Sequence, residues 1–469
     1  MKFLSRCLTG VLLCAGLASV LHAASPQKPN VLFIAIDDLR DWVGYFGHNP
    51  QAKTPNFDRL SKMGVSFSRA YCASPVCNPS RTALMSGMRP SVTGVYENNI
   101  DFRPIVSPDK MLTTAFRNAG YSVTGSGKIY HESYRRDSEW DDYLQKEGGD
   151  PKVRGGQSDG VGGIKFAPLD CRDDELADWK IADYGIAGLA KKHDKPFFLA
   201  VGFHKPHMPW NVPRKWFDLF PLASIKLPPH LENDLDDVPP AGVRMAHPET
   251  DHVPMVKSGR WKEAVQAYLA TIAYCDMNLG RLLDAYEKSP DRDNTILCLW
   301  SDHGWHLGEK SHWRKFALWE EATRSPFIWI VPGMTKPGTV CARTIDYMSI
   351  FPTLTDLCGI PTPKHVEGPS IRALLANPEA QWDRPGVTTY RYKNHTVRNA
   401  GWRYIRYENG DEELYDETKD PNEYVNLATK PEYAAKKAEL AKFLPKSDIL
   451  DPSMTGASEK KGGKRKKVE

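Results

Sequence analysis

The chain has 469 residues, of which 41% are hydrophobic and 26% charged, as in a globular protein with one large core or a large domain plus a small one. Its formal net charge of +4 comes from its two ends, because Lys2 and Arg6 lie near the start and the last eleven residues hold six basic and two acidic side chains. The rest of the chain therefore carries about −2, which argues against a body that binds nucleic acid.

The N-terminus has the pattern of a secretory signal. Two basic residues precede an apolar run from Leu8 to Leu21, and small residues follow at Ala23 and Ala24. The run is too short for a spanning helix and no later segment is longer, so we predict a signal peptide over 1–23, a secreted or periplasmic protein and no stable membrane insertion. A lipid anchor at Cys14 is an alternative, although a leucine stands before it where a small residue is expected.

Four segments have the pattern of buried strands, and each ends in polar side chains. Continuous apolar runs are typical of strands covered by helices on both faces, and stretches with helical spacing such as 262–288 lie between them, so we predict an open α/β sheet. Ligands of such sheets bind beyond the carboxyl ends of the strands, which predicts one shared site. The runs and their polar ends are 30–36 with Asp37 and Asp38, 197–203 with His204, 296–300 with Asp302 and His303, and the weaker 120–127 with Lys128 and His131.

The pattern of apolar and polar residues changes at about Trp382. From there, aromatic or β-branched residues alternate with polar ones, which predicts a small antiparallel sheet, and "PEYAAKKAELAKFL" predicts a helix after it. We therefore predict a large N-terminal domain over 24–375 that holds the shared site, a C-terminal subdomain over 376–450 and a disordered basic tail over 451–469.

Three carboxylates and an imidazole at two strand ends suggest a cation site. Asp37, Asp38 and Asp302 would repel one another without a cation, and oxygen-rich sites select Ca²⁺ or Mg²⁺. The alternative is that the two adjacent aspartates only cap the segment that follows them. Histidines at strand ends are likewise often structural.

The segment "YCASPVCNPSRTALMSG" places two cysteines five residues apart. Cys72 and Cys77 could form a disulfide, pack as small apolar residues, or react. A thiolate is a soft ligand and a poor partner for a hard cation, but an aldehyde hydrate at Cys77 would offer one oxygen to a metal and one for attack. A disulfide would consume this residue, so we predict that Cys72 packs as an apolar residue. Three further cysteines have core-like surroundings: Cys275, Cys298 and Cys358.

The stretch "CNPSR" resembles the cysteine-x-proline-x-arginine signature of the sulfatases, whose cysteine is converted to Cα-formylglycine. The resemblance extends over nearly the whole mature chain through "NVLFIAIDDLR", "GKIYH", "FLAVGFHKPHMPW", "SDHGWHLGEKSHWRK" and "ELYDETKDPNEYVNLA". Ser86 stands where threonine is usual. Many sulfatases carry Asp-Asn at the last metal strand, whereas Asp302 and His303 here are similar to the iduronate-2-sulfatase branch.

The resemblance implies an alkaline-phosphatase-like sandwich, with a large, mostly parallel central sheet between helices and a smaller C-terminal antiparallel sheet. It also implies one Ca²⁺ ion and a maturation enzyme that converts Cys77 to formylglycine. The implied metal ligands are Asp37, Asp38, Cys77, Asp302 and His303.

The resemblance further implies the catalytic roles. Arg81 would steady the aldehyde hydrate, and Lys128 and Lys315 would bind the sulfate oxygens. His204 would protonate the leaving alkoxide, and His131 would take a proton so that the aldehyde reforms. Lys310 is a rival of Lys315 in sequence. Three more residues beside the site could line a substrate pocket: Trp305, His306 and His312.

These expectations amount to a sulfuric ester hydrolase acting on a sulfated oligo- or polysaccharide. The resemblance favours the 2-O-sulfate of iduronate, or of a related sugar, in a glycosaminoglycan or an algal polysaccharide. One alternative is a phosphodiesterase or phosphonate monoester hydrolase of the same superfamily. Another is an inactive protein that only binds sulfated polysaccharide.

Overall fold

The computed structural model describes residues 28–131, 134–152 and 160–450. The predicted signal peptide (1–23) and basic tail (451–469) lie outside the described residues. Across the described ranges, each helix is too short or too polar to cross a membrane.

The order of elements alternates strands and helices up to about residue 376 and is mostly β beyond it. The strands are β1 (Asn30–Ile36), β2 (Val65–Tyr71), β3 (Ser122–Gly127), β4 (Asp142–Tyr143), β5 (Gly160–Val161), β6 (Ile164–Lys165), β7 (Phe197–Phe203), β8 (Thr295–Ser301), β9 (His306–Leu307), β10 (Trp313–Arg314), β11 (Phe327–Ile330), β12 (Thr339–Asp346), β13 (Gly386–Thr389), β14 (His395–Arg398), β15 (Trp402–Arg406) and β16 (Glu412–Asp416). The helices are α1 (Pro55–Met63), α2 (Cys77–Ser86), α3 (Pro90–Thr93), α4 (Leu112–Asn118), α5 (Ala177–Ala190), α6 (Arg214–Asp218), α7 (Pro240–Ala246), α8 (His252–Ser258), α9 (Trp261–Lys288), α10 (Glu320–Thr323), α11 (Ile350–Leu357), α12 (Arg372–Ala376) and α13 (Ala434–Ala441).

The main sheet has, within the described residues, eight strands in the order β12-β2-β11-β8-β1-β7-β3-β4. Its neighbouring strands pair in parallel except at β11, which is antiparallel to both β2 and β8. All four predicted buried strands belong to this sheet and are adjacent in it as β8, β1, β7 and β3. All seven residues of β1, β7 and β8 are buried, as expected for strands covered on both faces.

Helices cover both faces of the sheet because alternate residues of each strand point to opposite sides. Leu32, Ile34 and Ile36 of β1 pack with residues of α5 and α9 in one core cluster. The intervening β1 residues pack in a second cluster with residues of α2, α4 and α11. The helix predicted over 262–288 is α9, whose apolar side chains recur at helical spacing. The predicted α/β sandwich is therefore confirmed.

The C-terminal sheet is antiparallel in the order β13-β14-β15-β16, as the alternating pattern predicts. The predicted helix after it is shorter than expected, because α13 begins only at Ala434, after a 3₁₀ turn over Pro431–Tyr433. The domain boundaries themselves stay a prediction.

Arg403 of β15 joins the C-terminal sheet to α10 through a fully buried ion cluster. Its guanidinium contacts the carboxylates of Glu320, Glu417 and Glu423, and its Nη1 donates to the carbonyl of Leu318 at 2.9 Å. Removing one partner of a buried ion pair leaves the other charge uncompensated, which is strongly destabilising.

We expect Arg403→Met to lower the free energy of unfolding by about 3–5 kcal/mol in urea titrations. The matched control is Arg406→Met at the end of the same strand, where the side chain is half-exposed and has no ion-pair partner among the described residues. That control should change the free energy of unfolding by less than about 0.5 kcal/mol. Equal effects of the two substitutions would contradict a stabilising role for the cluster.

Candidate active site

The predicted polar strand ends meet at one edge of the main sheet. Asp37 and Asp38 follow β1, and Asp302 and His303 follow the neighbouring β8. Lys128 follows β3, and β7 lies between β3 and β1 and leads to His204. Neighbouring parallel strands end at the same edge of a sheet. The four adjacent strands therefore bring the polar groups that follow them together.

Cys77 reaches this edge as the first residue of α2. Pro79 lies in the first turn of the helix, where backbone N–H groups have no helical hydrogen-bond partner. Its missing N–H therefore costs no hydrogen bond, and the helix can begin at Cys77. The Cys77 Sγ lies 3.0 Å from Lys315 Nζ, 3.4 Å from His303 Nε2 and 3.7 Å from Asp38 Oδ1. Burial, more than any other factor, raises the pKa of the Cys77 thiol, so the unmodified side chain is neutral and a weak nucleophile.

Cys72 packs as predicted. Its side chain is fully buried, and its Sγ lies 3.9 Å from the carbonyl oxygen of Ala322. Both Cys72 and Cys77 are free thiols, so there is no disulfide between them. The three cysteines with core-like surroundings are also buried: Cys275, Cys298 and Cys358.

A group able to hold a cation is formed by Asp38, Cys77, Asp302 and His303, whose ligand atoms lie within 4.8 Å of one another. His303 Nδ1 lies 3.0 Å from the carbonyl oxygen of Gly304, which can only accept, so this nitrogen carries a proton. In the neutral ring Nε2 is then a lone pair, yet it faces Asp38 Oδ1 at 3.3 Å and Asp302 Oδ2 at 3.6 Å. The lone pair of Nε2 and the two carboxylate oxygens are atoms of the kinds that ligate metal ions, so this group of side chains fits a metal ion.

The alternative that Asp37 and Asp38 cap a helix is wrong. Residues 39–43 form no helix, and Asp38 has a φ of 60°. Its amide donates to Asp302 Oδ1 at 3.0 Å, which turns the β1 end toward β8. The unusual backbone therefore directs the Asp38 carboxylate to the shared site.

Arg81 lies one turn after Cys77 on α2 and is fully buried. Its Nε donates to Asp302 Oδ2 at 2.9 Å, its Nη2 to Asp37 Oδ1 at 3.0 Å, and its Nη1 to the carbonyl of Lys128. Arg81 thus fixes carboxylates from two strands. Its predicted contact with an aldehyde hydrate stays a prediction.

Two lysines complete the charge balance. Lys128 Nζ lies 2.5 Å from Asp37 Oδ2, and Lys315 Nζ lies 2.8 Å and 3.1 Å from the two oxygens of Asp38. Burial, the largest single cause, would lower the pKa of each ammonium, but the nearby acidic groups together outweigh it and raise the pKa, so both lysines are charged. The sequence rival Lys310 lies elsewhere, with its Nζ 2.7 Å from Asp234 Oδ1.

His204 projects from the end of β7 and keeps 39% of its side chain exposed. Its Nε2 lies 3.0 Å from Glu147 Oε2, and the other oxygen of Glu147 accepts from the amide of Gly127 at 3.0 Å. Burial alone would lower the pKa of His204, but the hydrogen bond to Glu147 and the charge of Asp178 raise it. Sequence reasoning missed Glu147 because its segment has no strand or helix pattern.

His131 lies beside Lys128 and is 7% exposed. Burial, and next the charge of Lys128, lower the pKa of His131 to about 2, so its ring is neutral. A second histidine near the site, His207, was missed: its Nε2 lies 3.8 Å from Asp38 Oδ2 and its Nδ1 2.6 Å from the carbonyl of Met208. The only sequence signal for it was the second histidine of "HKPH".

The three residues suggested as a pocket lining are buried, like the rest of the site. Trp305 is 1% exposed and packs edge-on against Trp210. His306 is fully buried against His312, and His312 Nδ1 lies 2.7 Å from the carbonyl of Ala246. The Trp305 ring also lies 5.5 Å from Lys315 Nζ, and a role of the three residues in lining a substrate pocket stays a prediction.

Comparison with known proteins gives the chain a family. The family model described as Sulfatase matches residues 29–360, and the one described as N-sulphoglucosamine sulphohydrolase, C-terminal, matches residues 308–448. A sulfatase of Formosa agariphila is 39% identical over 447 residues, covering 90% of this chain and 87% of that protein. The iduronate 2-sulfatase of Homo sapiens is 29% identical, covering 77% of this chain and 75% of that protein.

Among solved structures, the phosphonate monoester hydrolase of Agrobacterium radiobacter superposes with a TM-score of 0.75 at 23% identity, covering 88% of this chain and 94% of that chain. Identity at this level shows the fold alone, and it confirms the predicted alkaline-phosphatase-like sandwich. The family model spans most of the chain and includes both strand ends that carry the aspartates and the "CNPSR" stretch. The chain therefore belongs to the sulfatase family.

Proposed function

We propose that this protein removes the 2-O-sulfate of iduronate, or of a closely related uronate, from a sulfated saccharide. Membership of the sulfatase family gives the reaction, the hydrolysis of a sulfate ester. The observation that carries the proposal is the buried group around Cys77, in which Lys315 and the side chains able to hold a cation contact one sulfur atom and Lys128 is bound to the neighbouring Asp37. The name of the iduronate 2-sulfatase relative supports the choice of sugar.

Cys77 in this proposal is converted to Cα-formylglycine by a maturation enzyme, and one Ca²⁺ ion binds beside it. Its ligands would be Asp37, Asp38, Asp302, His303 and the modified residue 77. The modified side chain and the ion together supply a nucleophilic oxygen of lowered pKa, which a buried, neutral thiol does not. The carboxylate oxygens suit a hard cation better than the sulfur does.

Lys128 and Lys315 would hold the sulfate group. Both ammonium groups are charged, and both point at the carboxylates that surround Cys77. A sulfate ester that enters beside Cys77 would take hydrogen bonds from them and gain charge compensation as negative charge develops. Arg81 keeps the carboxylates in position because all three of its nitrogens are engaged.

Two histidines would move protons. His204 is the general acid, since its pKa is raised and its ring keeps solvent access, so that it can protonate the leaving sugar oxygen. His131 would be the base, as the resemblance to the sulfatases implies, and its ring beside Lys128 is neutral. A signal peptide over 1–23 and action outside the cytoplasm belong to the same proposal.

Glu147→Gln tests the acid role of His204 through pH. The substitution removes the charge that raises the pKa of His204, so this pKa falls. The acid works only while protonated, and its protonated fraction falls as pH rises through its pKa. We therefore expect the alkaline limb of the kcat/KM profile to move to lower pH while the acid limb stays in place. An unmoved alkaline limb would contradict the assignment.

The alternative activity is on phosphorus esters, and the shared fold with a phosphonate monoester hydrolase is compatible with it. Parallel kinetics separate the two: kcat/KM is measured with p-nitrophenyl sulfate, bis-p-nitrophenyl phosphate and p-nitrophenyl phenylphosphonate on one preparation. We expect the sulfate ester to be the best of the three. A higher kcat/KM for either phosphorus ester would overturn the proposal in favour of the alternative.

A further inference from the structure

The turn between β13 and β14 has two cationic residues in a left-handed backbone conformation, which few residue types adopt readily. Arg391 and Lys393 have φ values of 60° and 58°, in the left-handed region that disfavours side chains. The amide of Tyr390 donates to the carbonyl of Asn394 at 2.9 Å and closes the turn. Strained backbone positions of this kind often occur in ligand-binding segments. Glycine or asparagine would adopt the same turn with less strain than arginine or lysine.

Arg391 is tied to the segment that supports the start of α2. Its Nε donates to Glu97 Oε1 at 2.6 Å. The carbonyl of Glu97 accepts from the Asn78 side chain at 3.0 Å, and Asn78 directly follows Cys77. Two hydrogen bonds and one peptide bond therefore connect the Arg391 guanidinium to the backbone of residue 77.

The other flank of the turn contacts the loop of Lys315. The ring of Tyr390 packs against Phe316, with 6.2 Å between ring centroids, and Phe316 directly follows Lys315. The amide of Phe316 also donates to the carbonyl of Pro75, two residues before Cys77. The turn thus lies over the loops that carry both the proposed nucleophile and a proposed sulfate-binding lysine.

The turn keeps positive charge available at this position. The Arg391 side chain is 62% exposed, and its two Nη atoms have no hydrogen-bond partner in the parts of the chain that the structure describes. Lys393 is exposed and lies over the ring of Tyr392 at 5.0 Å, with no carboxylate in ion-pair distance within those same ranges. Glu97 neutralises one of the two cations, so one positive charge is in excess.

We propose that Arg391 and Lys393 form a second anion subsite, which binds a carboxylate or a further sulfate of the saccharide while the scissile sulfate lies beside Cys77. The subsite rests on the proposed function and deepens it, because it explains how an acidic saccharide would be preferred over a neutral sulfate ester. The Nη edge of a guanidinium matches two oxygens of a carboxylate or a sulfate, and Lys393 adds a point charge.

The test compares matched substrates. The probes are a 2-O-sulfated uronate disaccharide, the same disaccharide with its carboxyl reduced to an alcohol, a version with a second sulfate on the neighbouring sugar, and p-nitrophenyl sulfate. In Arg391→Gln we expect kcat/KM for the acidic substrates to fall at least tenfold, mainly through KM, and the value for p-nitrophenyl sulfate to change less than twofold. Loss only with the uronate, or only with the second sulfate, identifies the anion that the subsite binds.

The matched control is Arg372→Gln, at an arginine on α12 that is 49% exposed and paired with Asp356 much as Arg391 is paired with Glu97. It should leave all four kcat/KM values unchanged, and Arg391→Lys should recover part of the loss. A wild-type enzyme that cleaves p-nitrophenyl sulfate but treats the acidic, the carboxyl-reduced and the doubly sulfated saccharides alike would overturn the subsite and leave the sulfatase proposal standing. A wild-type enzyme, shown to be modified at residue 77, that cleaves no sulfate ester would overturn both.

Discussion

Cys77→Ala is expected to lower the turnover of sulfate esters by a factor on the order of 10⁴ or more, since loss of a covalent nucleophile removes the reaction path itself. The fold should persist because the side chain that is lost is small and α2 is held by Arg81 and by its packing against the main sheet. Initial rates and the near-UV circular dichroism spectrum, measured on one preparation, check the two halves of this statement.

The matched control for this variant is Cys72→Ala. Cys72 is also fully buried and lies five residues earlier, but its sulfur contacts a backbone carbonyl instead of the site. Cys72→Ala should keep near-wild-type kcat. Cys77→Ser should be impaired as well unless the maturation system of the host accepts serine. Near-normal activity of Cys77→Ala would end the proposed mechanism.

His204→Gln is expected to separate substrates by their leaving groups. A sugar alkoxide is a poor leaving group and depends on protonation, so kcat/KM for a sulfated saccharide should fall about 10²–10⁴-fold. A p-nitrophenolate leaves without a proton, so kcat/KM for p-nitrophenyl sulfate should fall by less than about tenfold. Both values are measured at the pH optimum of the wild type.

A histidine away from the site serves as the control. His193 Nε2 lies 2.9 Å from the carbonyl of Gly188 near the end of α5, so His193→Gln removes an imidazole without touching the site. It should change neither kcat/KM value. Equal losses for the saccharide and the aryl ester in His204→Gln would contradict the role of His204 as the acid and would indicate a positioning role.

The fold and the centre of the site were predictable because their signals are local. The runs of β1, β7 and β8 are apolar throughout, and a parallel sheet necessarily brings the groups after such strands to one edge. Pro79 is typical of the first turn of a helix, and Gly87 is typical of the residue that ends one. The position of Cys77 near the start of a helix could therefore also be predicted from the sequence. These features need no knowledge of distant contacts.

The second half of the site could not be predicted because it depends on loops. Glu147 belongs to a segment without periodicity, yet it joins the amide of Gly127 to His204. His207 lies three residues after His204 in "HKPH", outside the strand end, and the motif alone does not show that both rings approach the site. Arg391 lies almost 300 residues from Glu97, and only the docking of the C-terminal sheet brings the two together. The spacing of residues along the sequence does not predict such contacts.

The most direct test of the central claim is a panel of defined sulfated oligosaccharides, with the position that loses sulfate read by NMR. The panel contains saccharides that differ only in carrying sulfate at the 2-position of a uronate, or at the N-, 3- or 6-position of a glucosamine. We predict that the H-2 resonance of the uronate moves to the position of the free alcohol while every other sulfate is retained. Loss of a glucosamine sulfate with the uronate 2-sulfate intact would contradict the proposed substrate.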